Sequence, residues 1–217
     1  MSKKHKTKII VLENVKNLIS HNKKQTFNTM LKLLDNLEYN YFYEMLNTKD
    51  FGFLQQRTRI FIVAILREFS NIKFEFPKGY KLKISTQDLL DKNVDKNYFL
   101  SKKIAKTILS WGSGGYKAEP SINCKISKTL TATMCKMHRA SQDNYVTNEL
   151  NFAKFNDDNL INVRKLTPNE CSKLQGFPNS WKQVVSDTQA YKQFGNAVSV
   201  NVSNALAKNI KQFLNLK

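Results

Sequence analysis

Several things are scarce in this chain. Its 217 residues hold three cysteines, an odd number in no CxxC or metal-ligand spacing, which argues against a disulfide framework and a zinc site. No apolar run approaches the ~18 residues that a membrane span requires. The stretch at residues 9–12, after a basic start, is too short for the core of a signal peptide. A cytoplasmic, reducing setting is the expectation. With seven glycines and four prolines, the chain shows no disordered linker and no internal repeat. Acidic residues are also few: 17 Asp+Glu stand against 35 Lys+Arg, for a net charge of +18. That excess calls for a polyanionic partner, nucleic acid ahead of an anionic membrane surface. AT-rich coding, which crowds a chain with Lys, Asn, Ile and Phe, would raise lysine as well, and from charge alone both explanations stand. Only five of the basic residues are arginine, so two of them close together carry more information than two lysines would.

The length fits one domain with a real core, or one domain plus a small lobe. Residues 8–12 form an apolar run of the kind a buried parallel strand shows, ending in Glu13-Asn14. From Lys23 to Leu37, Phe27, Met30, Leu31, Leu34 and Leu37 recur at helical spacing. Tyr39, Tyr41, Tyr43 and Met45 alternate as a strand does, and Arg59 to Leu66 reads as another strand after a turn at Asp50-Phe51-Gly52. Strand, helix, strand, loop, strand is a fragment of a doubly wound α/β sheet, in which polar side chains at the strand C-termini face the ligand crevice. Glu13 is placed that way.

Periodicity weakens from about Glu68 to Asn162, where short β-like pieces and a Gly-containing stretch, Trp111 to Tyr116, predict a second lobe. Order returns at Thr167. Thr167 as N-cap, Pro168 at the first helical position and Glu170 at the third form a capping box, and Gly176 with Pro178 ends the short helix, so these residues have a complete local explanation. Ser186-Asp187 predicts the start of a helix running to Phe194, and from Val198 the residues Val202, Ala205, Leu206, Ile210 and Phe213 mark a final amphipathic helix.

Four segments stand in an informative order. Leu12-Glu13-Asn14-Val15, then Gln55-Gln56-Arg57-Thr58-Arg59, then Arg164 to Pro178, then Tyr191 to Val198 with its Gly195-Asn196-Ala197-Val198 resemble successive motifs of the DNA cytosine-5 methyltransferase family. The resemblance covers nearly the whole chain. It maps onto the C-terminal half or so of a complete enzyme, because the family's glycine-rich cofactor motif and its Pro-Cys-Gln nucleophile motif have no counterpart here. Cys124, Cys135 and Cys171 follow Asn, Met and Glu, and none precedes a Gln.

What the resemblance implies can be stated residue by residue. The fold is α/β: the back half of a doubly wound methyltransferase sheet in residues 1–68, a smaller, mostly β and irregular target recognition lobe in 69–162, and closing helices in 163–217. Methylating carbon 5 of cytosine takes a thiolate at carbon 6 and an acid at N3. Glu13 is that acid, acting on a base turned out of duplex DNA. Arg59 reaches the same base, since guanidinium stays charged and donates to carbonyl and phosphate together. Arg57 serves a phosphate or braces the site. Asn196 and Ala197 contact S-adenosylmethionine. Gly114, Gly115, Thr129 of the Thr129-Leu130 pair, Lys136 and Arg139 contact DNA. The implied partners are duplex DNA and an N-terminal subunit carrying the Pro-Cys-Gln cysteine and most of the cofactor site. No metal is implied. Taken singly, Glu13 also reads as a surface carboxylate, Arg59 as half of a solvated ion pair, and the glycines as a plain loop. A DNA-binding module without catalysis is the rival reading of the whole.

Overall fold

The computed structural model describes residues 5, 7–69, 73–80, 85–109, 112–113, 116–117, 120–136, 140, 142–147 and 160–215. Strand β1 (Ile9–Val15) leads through two short 3-10 turns to helix α1 (Gln25–Asn36), and from there to β2 (Tyr39–Asn47), β3 (Gln55–Gln56) and β4 (Thr58–Leu66). Glu38, at φ 65, reverses the chain between α1 and β2. The main sheet has the order β1-β4-β2. Both outer strands run antiparallel to β4, hence parallel to each other.

Six successive residues of β4, Ile60 to Ile65, are buried, so both faces of this strand are covered. Alternation assigns the faces. Ile60, Ile62 and Ala64 pack with Leu18, Phe27, Leu34 and Tyr39 under α1, while Phe61, Val63 and Ile65 pack with Phe74, Val202, Leu206 and Phe213 under the last helix. At about 1.5–3 kcal/mol for each fully buried large aliphatic or aromatic side chain, β4 is the main hydrophobic anchor of the sheet. The apolar run at 8–12 forms a strand, but the strand continues to Val15 and its partner is antiparallel, not parallel. The reason is the turn at 48–57, which sends β4 back along β2 and between the two parallel strands.

The middle of the chain carries β5 (Phe99–Ser101), α2 (Lys102–Leu109), β6 (Gly112–Ser113), β7 (Tyr116–Lys117), β8 (Ser127–Lys128), β9 (Tyr145–Val146) and β10 (Leu160–Lys165). Strands β5, β10 and β9 make a second sheet, β6 pairs with β7, and β8 adds in parallel to β3. Helix α2 was not legible in the periodicity. Its buried Ala105 and Ile108 are too few to stand out in eight residues. Strand β10 runs across position 162, where the sequence suggested a boundary.

Helices α3 (Pro168–Leu174), α4 (Asp187–Asn196) and α5 (Val200–Asn215) close the fold. The capping box at Thr167 and Glu170 forms, and Gly176 takes the left-handed φ of 77 that ends the helix. Ser186 sits at the N-cap of α4 without a side-chain cap bond, and α4 runs past Phe194 to Asn196. The last helix starts at Val200, after Ser199, with Val202, Leu206 and Phe213 buried as its stripe predicts. One core cluster, Leu54, Leu130, Leu166, Leu174, Tyr191 and Phe194, draws on all three segments of the chain. Among the described residues no helix is long and apolar enough to cross a membrane.

Candidate functional site

Antiparallel register places Glu13 opposite Phe61 and Val15 opposite Arg59, so Glu13 and Arg59 are diagonal neighbours on one face of the sheet. Arg59 Nε lies 3.1 Å from Glu13 Oε1, with the two side chains 16% and 22% exposed. Arg59 Nη1 donates to the Thr58 carbonyl at 2.9 Å. Partial burial pulls the Arg59 pKa below its ordinary value, and the Glu13 carboxylate opposes that shift. Glu13 lies within β1 and not beyond its end.

Beside this pair opens a cleft of about 490 Å³, lined by Val15, Lys16, Asn17, Gln56, Thr58, Arg59, Lys128 and Thr129. Its walls come from the end of β1, from β3 and the start of β4, and from β8 with the residue after it. Pairing of β3 with β8 sets Gln56 opposite Lys128, and Thr129 Oγ1 donates to the Gln56 carbonyl at 2.7 Å. The cleft is of ligand size. Arg59 lines the cleft and Glu13 is reached through its ion pair with Arg59. A guanidinium and a carboxylate so paired suit a planar polar ring with both donor and acceptor atoms, and Lys16 and Lys128 add positive charge for a phosphate. None of its lining residues is a cysteine. A larger groove of about 690 Å³ follows β2 and residues 73–79 but contains none of the expected site residues.

Arg57 takes a different position. It is 2% exposed, donating from Nη1 to the Leu130 carbonyl at 3.2 Å and from Nη2 to the carbonyls of Gly195 at 3.1 Å and Ala197 at 2.9 Å. Of the two roles that the sequence left open, phosphate contact or brace, this geometry matches the brace. Burial first, then the nearby Arg59 charge, lowers its pKa to about 10, with Glu13 acting the other way. The group stays charged near neutrality.

Asn196, the last residue of α4, is exposed and Ala197, at its C-cap, is half-buried, both outside the cleft lining. Two residues cannot by themselves enclose a ligand the size of S-adenosylmethionine, most of whose surface a site must cover. Lys136 is exposed on a 3-10 turn away from the cleft. Gly114, Gly115 and Arg139 lie outside the described residues. Cys171 is fully buried in α3, and burial raises its thiol pKa well above the ordinary value. Cys124 and Cys135 are half-buried. Among the described residues no cluster of His, Cys, Asp or Glu could hold a metal ion.

Lys16, Asn17 and Lys128 were missed by sequence reasoning. Each directly adjoins a recognised motif, Lys16-Asn17 after Glu13-Asn14-Val15 and Lys128 before Thr129-Leu130, and that adjacency was the available signal.

The family described as C-5 cytosine-specific DNA methylase matches residues 1–212. The chain is 37% identical over 217 residues to the type II methyltransferase M.SsoII of Shigella sonnei, covering 96% of this chain and 54% of that protein. It is 36% identical to M1.ScrFI of Lactococcus lactis subsp. cremoris, covering 98% and 54%. The chain thus spans about half the length of these curated relatives. Among solved structures, the Entamoeba histolytica methyltransferase EhMeth superimposes with a TM-score of 0.70 at 22% identity, covering 97% of this chain and 63% of that one. The S. pombe Dnmt2 methyltransferase gives 0.69 at 20% identity, covering 96% and 67%. At these identities the structures speak for the fold, a methyltransferase-type α/β architecture.

Proposed function

Since the chain belongs to the C-5 cytosine-specific DNA methylase family, we propose that it is the C-terminal portion of a DNA (cytosine-5-)-methyltransferase of a restriction-modification system, acting in the cytoplasm. The observation that carries this reading is the Glu13–Arg59 pair, whose arginine lines a basic cleft. A cytosine turned out of duplex DNA presents N3 and an amine to one partner and a carbonyl to another. Glu13 accepts from the amine and shares a proton with N3, making carbon 6 electrophilic. Arg59 donates to the carbonyl and holds Glu13 in place. Lys16 and Lys128 hold backbone phosphates, and Thr129 faces the bases. S-adenosylmethionine, when bound, supplies the electrophilic methyl group. On this side of its site the chain offers Asn196 and Ala197.

The thiolate that must add at carbon 6 has no candidate in the cleft lining, and the three cysteines of the chain are buried or half-buried elsewhere. It comes, in this reading, from an N-terminal portion bearing Pro-Cys-Gln, which also supplies most of the cofactor pocket. Strand β1 leaves room for that portion. It is the outer strand of the described sheet, and Val11 and Val15, on the same face as Glu13, are 44% and 50% exposed.

The test is complementation. This chain alone is expected to transfer no methyl group and to form no covalent adduct with DNA containing 5-fluorocytosine. Adding a fragment with the missing motifs should restore both. Robust adduct formation by the chain alone would overturn the assignment of the nucleophile.

A further inference from the structure

Two segments assigned above to different ligands meet at one side chain. The loop at 129–132 carries Thr129 at the DNA cleft, and the turn at 195–198 carries the cofactor-facing Asn196 and Ala197. Arg57 donates to Leu130 of the first and to Gly195 and Ala197 of the second. The segments are also in direct contact, because a Cβ on Gly195 would collide with the backbone of Thr131 and Ala132. We infer that Arg57 couples the loop to the turn, so that duplex DNA at one and the cofactor at the other alter each other's affinity. The identity of the two ligands rests on the proposed function, whereas the coupling rests on the geometry.

Neighbouring side chains make the connection stiff. Gln55, fully buried, accepts from the Leu130 amide at 3.1 Å and donates to the Leu174 carbonyl at 3.3 Å. Gln175, also fully buried, donates to the Phe194 carbonyl at 2.7 Å and accepts from Ser199 Oγ at 2.9 Å. These amides hold each segment to a fixed element, Leu130 to β3 and the α4–α5 turn to the end of α3. Arg57, by contrast, spans the two segments directly, with side-chain hydrogen bonds to both. A shift of Ala197 toward a ligand must stretch its bond to Arg57 or carry the guanidinium, and with it Leu130, along. At 2% exposure Arg57 touches neither ligand and is a positioning residue. Coupling of this kind is reciprocal. Lysine cannot replace it, since one ammonium lacks the two-pronged fork that reaches both segments.

Amide hydrogen exchange on this chain, with and without a short duplex at low salt, tests the inference. Duplex should slow exchange at residues 127–131. Through Arg57 it should also slow Ala197 and Val200, by about fivefold or more, the lower end of ordinary site-to-site coupling. Both of these amides are hydrogen bonded, to Gln193 and Gln175, so their exchange is measurable. In Arg57→Lys the slowing at 127–131 should remain while that at Ala197 and Val200 disappears. Gly195→Ala, which keeps the arginine but drives its acceptors at 195–197 away from the backbone of Thr131 and Ala132, should have the same effect, and it carries the test if a melting curve shows Arg57→Lys to be unfolded. Slowing at Ala197 and Val200 that survives these substitutions, or that is absent from the unsubstituted chain, would overturn the coupling. A wild-type chain without slowing at 127–131 would remove the DNA assignment of the loop, and the inference with it.

Discussion

Arg164 and Glu170 form a bidentate ion pair in the interior, Nη1 to Oε2 at 2.9 Å and Nη2 to Oε1 at 2.8 Å, with side chains 3% and 1% exposed. The same carboxylate accepts from the backbone amides of Thr167 at 2.7 Å and Asp91 at 2.8 Å. One glutamate thus closes the capping box of α3, neutralises a buried arginine and anchors the segment at Asp91. Its role is structural, as the capping pattern suggested, but the pattern showed only the first of these bonds.

Glu170→Ala should therefore be among the most destabilising single changes in the chain. Leaving one member of a buried pair uncompensated costs about 3–5 kcal/mol. For a chain of this size that lowers the melting temperature on the order of 10 °C. Thermal unfolding followed by circular dichroism checks this, and a shift of a degree or two would mean that water reaches Arg164.

Asp91 gives a pH dependence. Burial opposes its ionisation, but hydrogen bonds from Lys173, Thr167 and Asn169 together with the Lys173 charge outweigh burial and hold the carboxyl below its ordinary value. A depressed carboxyl pKa contributes stability that is fully present above the unfolded value of about 3.9 and is lost as pH falls through the folded value. Urea unfolding should show the chain losing stability in that acid window, and Asp91→Asn should flatten this part of the curve. Identical curves for the two would remove Asp91 from the account.

Glu13→Gln in the complemented enzyme should slow methyl transfer by roughly two to four orders of magnitude, the range of general acid–base catalysis. Duplex affinity should barely change. Stability should change by less than about 1 kcal/mol, because the pair with Arg59 is partly exposed. An undiminished single-turnover rate would reduce Glu13 to a surface carboxylate.

Duplex binding should weaken steeply with salt as lysines release counterions from phosphates. Lys16→Ala should lower the slope of log K against log salt by about 1 and leave sequence preference unchanged. Fluorescence anisotropy over a salt series measures it, and an unaltered slope would place Lys16 off the DNA.

In the half-enzyme reading the isolated chain is expected to self-associate, since among the described residues β1 is an outer strand and Val11 and Val15 are exposed, features that favour pairing with another strand. Light scattering should show oligomers or aggregation. Complementation with the N-terminal portion should raise both solubility and melting temperature. A monodisperse, highly stable monomer would contradict the half-enzyme reading.

The sequence by itself determined the elements whose physics is local. Helix α1, strands β2 and β4, the Thr167 cap and the stripe of α5 were legible, since side-chain periodicity and capping depend on residues within a few positions of each other. It also carried the motif order that names the family. Pairing was decided only by the tertiary structure. The direction of β4 between β1 and β2, the meeting of Glu13 with Arg59 across 46 positions, and the approach of Thr129 to Gln56 all depend on which strands become neighbours. Arg57 is the clearest case. In the sequence it is one of two arginines in a motif, with phosphate contact and bracing equally open, because a guanidinium serves either role. The tertiary structure buries it among the carbonyls of Leu130, Gly195 and Ala197, where only long-range packing brings such acceptors together.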